Sequence, residues 1–283
     1  MDGIGTTPPR DHRVVATDLD GTLLRSDLTV SARTRAALRD ARAAGMIHLA
    51  VTGRPVIDTR RLLAGLGYTG PAVCGQGAQV YDFGTDRLLL SRSLDTDLVR
   101  ELVRRIAQRT GPLALAAVSA GLGTEFLVTA GFGAPYQQHR WQLVDEPDLW
   151  RAPVAKVLIR HPDHDDDTLA ALADEVCGAA LSVMHAGPGL VELLPGDTSK
   201  RTGLAFLAAE LGFTGADTIA FGDMPNDLPM FDWAGYGVAM ANGHPRLRDR
   251  ADEITVSNDA DGVAVVLERL PAVRAGNRKA SLR

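Results

Sequence analysis

Short apolar runs, each ending in a polar cluster, alternate along the first part of this chain with segments of helical periodicity. Val14-Val15-Ala16 reads as a buried strand that stops at Asp18. Ser31 is placed to cap a helix running to about residue 44, with Gly45 as its stop. A strand over 47–51 ends in Thr52-Gly53-Arg54, a helix over 56–66 stops at Gly67, and a third strand covers 72–74. Strand, helix, strand, helix, strand implies right-handed crossovers and a parallel sheet.

After Tyr81-Asp82 the rhythm changes. A helix over 97–108 carries Leu98, Val99, Leu102, Val103 and Ile106 on one face. Strands are expected at 113–118, 125–129, 156–160, 181–185 and 190–194, with a helix at 168–176. This reads as an α+β unit inserted into the first. The alternation then resumes: helix 199–211, strand 218–221, helix 228–233, strand 238–240, helix 245–250, strand 253–256 and helix 262–270. The expected fold is α/β: a doubly wound, mainly parallel Rossmann-like core sheet interrupted by an inserted α+β cap. The core takes 12–82 and 189–270, the cap 83–188, and 1–11 and 271–283 are expected to be flexible tails. Asp82-Phe83-Gly84 and Gly187-Pro188-Gly189 are the expected links, with glycines able to serve as hinges.

Composition removes several classes of function. Among 283 residues, 35 acidic against 30 basic side chains give a net charge of −5, which argues against a nucleic-acid partner. Arg274, Arg278, Lys279 and Arg283 near the end read as a solvated terminus. Two cysteines, Cys74 and Cys177, form no disulfide framework, and Cys74 is expected as a small core residue. No long apolar run predicts a membrane span, and the opening residues do not resemble a secretory signal, so a cytoplasmic location is expected. Neither a phosphate-binding Gly-x-x-x-x-Gly-Lys run nor a Gly-x-Gly-x-x-Gly follows the first strand. Nothing in the sequence reports the oligomeric state.

In an open parallel sheet, ligands bind beyond the carboxyl ends of the strands. Four polar clusters fall at that edge: Asp18-Leu19-Asp20-Gly21-Thr22, Thr52-Gly53-Arg54, Lys200, and Gly222-Asp223-Met224-Pro225-Asn226-Asp227. Converging carboxylates repel unless a hard divalent cation sits among them, and Mg²⁺ accepts such ligands together with phosphate oxygens. Lys200 and the backbone amides near Thr52 supply donors for a phosphate. Asp18, at the strand end, is the candidate nucleophile for two-step phosphoryl transfer. Asp20 is the candidate acid and base, with crowding expected to favour its protonated form. Gly21 permits the sharp excursion between them.

Asp18-Leu19-Asp20-Gly21-Thr22-Leu23-Leu24, Val51-Thr52-Gly53-Arg54, Ser199-Lys200 and the Gly222–Asp227 cluster resemble, in order, the four motifs of the haloacid dehalogenase superfamily. The large insert is similar to that of its Cof-like sugar-phosphatase branch. Gly237-Val238-Ala239-Met240-Ala241-Asn242-Gly243 and the stretch from Ser257 to Ala264 fit the same branch. The resemblance implies a Mg²⁺-dependent phosphatase of small phosphomonoesters, of sugar or polyol type, acting through an aspartyl phosphate. It implies Asp18 as nucleophile and metal ligand, Asp20 as acid/base and as a ligand through its carbonyl, and Asp223 as the third ligand. It implies phosphate contacts from Thr52, Gly53, Lys200, Asn226 and the Leu19 amide, with Asp227 behind them orienting Lys200 or a metal-bound water. Gln76 stands where relatives usually carry Asn, at the mouth of the site.

A hexose phosphomutase of the same superfamily is the alternative, because it needs the same proton shuttle at Asp20. A non-catalytic phospho-receiver shares the aspartate and lysine but leaves the insert unexplained. The His161–Asp167 run is expected to be a loop leading into a helix N-terminus rather than a metal site. Trp141 and Trp150 are expected to bury an apolar face, and His48 and His185 to be packed or surface residues.

Overall fold

The computed structural model describes residues 12–122, 126–133, 141–187 and 189–270, so the expected tails and the basic terminus lie outside the described residues. β1 (Val14–Thr17), α1 (Ala32–Ala43), β2 (Ile47–Val51), α2 (Val56–Ala64) and β3 (Pro71–Cys74) follow the expected alternation, with parallel pairing throughout. Ser31 caps α1 by accepting a hydrogen bond from the Thr34 amide.

Two strands that the hydrophobic pattern did not predict come next. β4 (Gln79–Asp82) and β5 (Arg87–Ser91) add antiparallel to β3. The Asp82 carboxylate accepts from the Gly84 and Thr85 amides, and Asp86 adopts a left-handed φ of 57°, which closes the turn. Asp82-Phe83-Gly84 is therefore the start of a hairpin turn inside the core sheet, not a link.

The inserted unit comprises α3 (Thr96–Thr110), β6 (Ala114–Ser119), β7 (Phe126–Val128), β8 (Trp141–Leu143), β9 (Val154–Arg160), α4 (Asp166–Cys177), β10 (Leu181–Gly187) and β11 (Leu190–Pro195). Its strands form a second sheet in the order β10-β11-β9-β6-β7-β8. β10 and β11 pair antiparallel with Gly187 opposite Leu190, so both strands flanking the second expected link belong to the cap sheet, while Pro188 itself lies outside the described residues. The chain crosses between sheets at 92–95 and 196–199, where Arg92 Nη1 donates to the Asp197 carbonyl at 3.0 Å. Leu190–Pro195 thus belongs to the cap sheet, and Arg87–Ser91 to the core, against the expected boundaries.

α5 (Lys200–Leu211), β12 (Thr218–Gly222), α6 (Leu228–Trp233), β13 (Tyr236–Ala239), α7 (Pro245–Arg248), β14 (Glu253–Ile254) and α8 (Gly262–Leu267) complete the core. Its sheet runs β14-β13-β12-β1-β2-β3-β4-β5. Alternation along β1 sends Val15 to one face, with Leu38, Val263 and Val266 from α1 and α8. Val14 and Ala16 face the other side, with Leu204, Leu207 and Met230 from α5 and α6. Both faces of the sheet are covered, which explains why β1 is a continuous apolar run.

In the cap, Val99, Leu102, Val103 and Ile106 of α3 meet Val157, Ile159, Val191 and Leu193. Leu98 lies at the edge of that stripe, beside Leu102 but well round the helix from Val103, and is 38% exposed. Leu158 and Leu190 pack with Phe126 on the opposite face of the sheet, the face that Lys156 and Glu192 share by alternation. Trp150 packs against the cap core as expected, whereas Trp141, at the sheet's last strand, is 43% exposed.

Candidate active site

The switch in strand order falls around β1, which lies between β12 and β2. Thr17, Val51 and Gly222 end these three strands, so Asp18, Thr52 and Asp223 emerge at one edge. Asp18 is fixed there by its amide, which donates to the Phe221 carbonyl at 3.0 Å. Lys200, the first residue of α5, reaches the same place and donates to Asp18 Oδ1 and Asp227 Oδ1, both at 2.6 Å. Its placement follows from the Ser199 capping box and from Gly77, whose Cα packs so closely that a Cβ would lie 2.0 Å from the Ser199 carbonyl oxygen.

Asp18, Asp223 and Asp227 form the one acidic cluster among the described residues whose ligand atoms lie mutually within 4.8 Å. The Thr22 hydroxyl donates to Asp223 Oδ1 at 3.1 Å. Gly21 is required beside it: φ is +73°, and a Cβ would fall 2.3 Å from Asp223 Oδ2. Asp227 is held from both sides, since its Oδ2 accepts the Asp223 and Met224 amides at 3.0 and 3.1 Å.

Burial pushes the Asp18 carboxyl well above the usual carboxylate range; Lys200 opposes this, while Asp227, Asp223 and Asp20 add to it. Burial and the charge of Asp227 raise Asp223 to about 7, against the pull of Lys200 and the Thr22 hydrogen bond. Burial works against the Lys200 charge, but Asp18 and Asp227 outweigh it and hold the ammonium protonated. Three buried carboxyl groups thus crowd together, and the one ammonium among them pairs with two, Asp18 and Asp227. That donor set of hard oxygens suits a small divalent cation.

Asp20 is paired differently. Its two oxygens accept from Arg54 Nε and Nη2, each at 2.6 Å, and its side chain is 43% exposed. The strongest carboxylate repulsion falls on Asp18 and Asp223.

Asp18, Asp20, Gly53, Asp223 and Asn226 line one cavity of about 270 Å³. Lys200 stands behind Asp18, and the Leu19 side chain is buried in the core. The Thr52 amide is not available to a ligand, because it donates to the Val73 carbonyl at 2.8 Å as part of the β2–β3 pairing. The Thr52 hydroxyl accepts from the Arg54 amide at 3.1 Å. Gln76, with φ of +58°, donates its own amide to the Thr52 carbonyl and also lines the cavity.

The sequence reading gives no site role to the cap's side of the cavity, although Ala155–Ile159 and the strand with Glu192 are the cap stretches that resemble the family. Phe126, Lys156, His185 and Glu192 line it, and Lys156 forms a buried ion pair with Glu192 while donating to the Gly53 carbonyl at 3.1 Å. Two charged residues inside otherwise apolar strands were the available signal. The His161–Asp167 run is a loop and helix start: His161 Nδ1 accepts two following amides, and Asp165 caps α4 through the Thr168 amide.

Fold and site together define a doubly wound α/β protein with an inserted cap and an acid cluster at the switch point. A family model of haloacid dehalogenase-like hydrolases matches residues 15–267, and the chain belongs to that family. The solved structure of a haloacid dehalogenase-like hydrolase from Bacteroides thetaiotaomicron superposes with a TM-score of 0.72 at 28% identity, covering 91% of this chain and 99% of that one. A haloacid dehalogenase-like hydrolase from B. subtilis has the same fold, with a TM-score of 0.78 at 23% identity over 91% of this chain and 99% of its own. Among similar sequences, the Bacillus subtilis 5-amino-6-(5-phospho-D-ribitylamino)uracil phosphatase YwtE is 28% identical over 91% of this chain and 98% of its own length. The HMP-PP phosphatase of Serratia proteamaculans is 27% identical over 90% and 93%. No helix among the described residues is long and apolar enough to cross a membrane.

Proposed function

We propose that this chain is a Mg²⁺-dependent phosphatase of small phosphomonoesters of the sugar- or polyol-phosphate class, working through a phosphoenzyme at Asp18. The observation that carries the reading is the Asp18 carboxylate at a cavity wall, braced by Lys200 from behind and flanked by Asp223. Family membership and the phosphatase relatives agree with it.

In this reading Asp18 attacks phosphorus and the ester oxygen leaves with a proton from Asp20. Asp20 then takes a proton from water, which attacks phosphorus, releases phosphate and restores Asp18. Asp20 must first be freed from Arg54, and a phosphate or leaving-group oxygen is a natural competitor for that guanidinium, which lines the same cavity. Lys200, the Gly53 amide, the Leu19 amide, the Thr52 hydroxyl and Asn226 are the candidate phosphate donors. Asp18, Asp223 and the Asp20 carbonyl would hold Mg²⁺, which supplies charge neutralisation for the phosphate oxygens. Asp227, with both oxygens engaged, orients Lys200 and the Asp223 turn rather than serving as a ligand.

Asp18→Asn tests the reading. Phosphate release from an aryl phosphate should fall by on the order of 10³-fold or more, as for loss of a nucleophile. The urea midpoint should hold or rise, because burial works against the charged form of Asp18 and Lys200 keeps Asp227 as a partner. Undiminished turnover contradicts the mechanism.

A further inference from the structure

Glu192 is 2% exposed and lines the cavity on the cap side, and its Oε2 is buried with no hydrogen-bond partner. Its other oxygen is paired with the Lys156 ammonium, which in turn donates to the Gly53 carbonyl of the core. The carboxylate is therefore fixed in place across the seam between cap and core. Leaving a buried carboxylate oxygen without a donor costs its desolvation uncompensated. Gln76 repeats the pattern from the core wall: it is 2% exposed, lines the same cavity, and its Oε1 is also without a partner. Two fixed acceptors lacking donors, one from each domain, describe a pocket completed by a ligand that carries hydrogen-bond donors.

We infer that Glu192, seconded by Gln76, is the acceptor subsite for hydroxyl groups of the leaving group, and so selects polyhydroxylated phosphate esters over alkyl ones. This rests on the phosphatase reading above and assigns its specificity to particular atoms. A site built to bond a hydroxyl rejects the analogue lacking it, because the acceptor is then left buried and unmet. Lys156 is the positioning residue that holds Glu192 in this orientation.

The test compares tetritol, pentitol and hexitol phosphates, each against the n-alkyl phosphate of the same carbon number. Wild-type kcat/KM should favour the best polyol ester over its alkyl match by on the order of 10²-fold or more. In Glu192→Gln the amide carbonyl still accepts from Lys156, while the free acceptor becomes an NH₂ donor. The ratio should fall at least ~10-fold, reflecting loss of a charge-assisted acceptor. A second variant, Lys156→Met with Glu192→Leu, replaces the pair by apolar groups of similar size, a change that buried pairs often tolerate in folding. Here the preference should vanish or reverse toward the alkyl ester. A ratio that stays constant in both variants, or parallel losses on both esters, overturns the subsite. Wild-type protein that turns over the alkyl esters without preference overturns the subsite alone. Failure to release phosphate from any ester overturns the phosphatase reading and this inference with it.

Discussion

Lys200 is 1% exposed, and its ammonium meets Asp18 and Asp227 together. Removing one partner of a buried ion pair leaves charge unmatched, so Lys200→Met should destabilise the protein by about 3–5 kcal/mol. Asp18→Asn added to Lys200→Met should restore part of that loss, measured by urea denaturation. An unchanged midpoint in the single variant contradicts the electrostatic account. At this scale the acid cluster was legible in the sequence, because its members sit at strand ends where the fold class puts ligands. Arg54 with Asp20, and Lys156 with Glu192, were not legible as pairs. Each joins residues more than thirty positions apart, and side-chain pairing over that distance has no local signature.

The element that aims Lys200 is α5, and its first turn rests on the Gly75–Gly77 turn after β3. Gly77→Ala puts a methyl 2.0 Å from a backbone oxygen in a left-handed φ of +102°. We expect a loss of about 1–3 kcal/mol of stability or more, read as a lower urea midpoint, and reduced phosphate release as α5 shifts. Wild-type stability in that variant contradicts the close docking. β2 gives a pH prediction. Burial, and to a lesser degree Arg42, lowers His48 from 6.5 to about 4, and His48 Nε2 bonds the Thr17 hydroxyl at 2.9 Å. Its native state binds fewer protons than the unfolded state between these values, so its contribution is complete above 6.5 and is lost as pH falls toward 4. His48→Gln should flatten the fall in urea midpoint over that window; an identical slope contradicts the assignment. Most elements were legible from period and caps. The β4–β5 hairpin was not, since its Gly84-Thr85-Asp86 turn carries the same residues as an interdomain link.

At the scale of the whole molecule, the two crossings at 92–95 and 196–199 lie side by side, joined by the Arg92–Asp197 bond. A short linker can therefore replace 93–196 without stretching the core. The cap walls the cavity with Lys156 and Glu192, so the excised core should keep slow hydrolysis of an aryl phosphate and lose discrimination among sugar and polyol phosphates. A folded, capless core with full substrate preference places specificity in the core instead. Mg²⁺ added to the intact protein should raise its melting temperature as the crowded carboxyl groups take up the cation, and Asp223→Asn should diminish the rise. An equal rise in both proteins separates Mg²⁺ from this cluster. The central claim, transfer of the phosphoryl group to Asp18 and then to water, is tested most directly by the stereochemistry at phosphorus. With an ester made chiral by oxygen isotopes and sulfur, two successive in-line displacements predict retention of configuration. Inversion would show a single direct attack by water and contradict the phosphoenzyme.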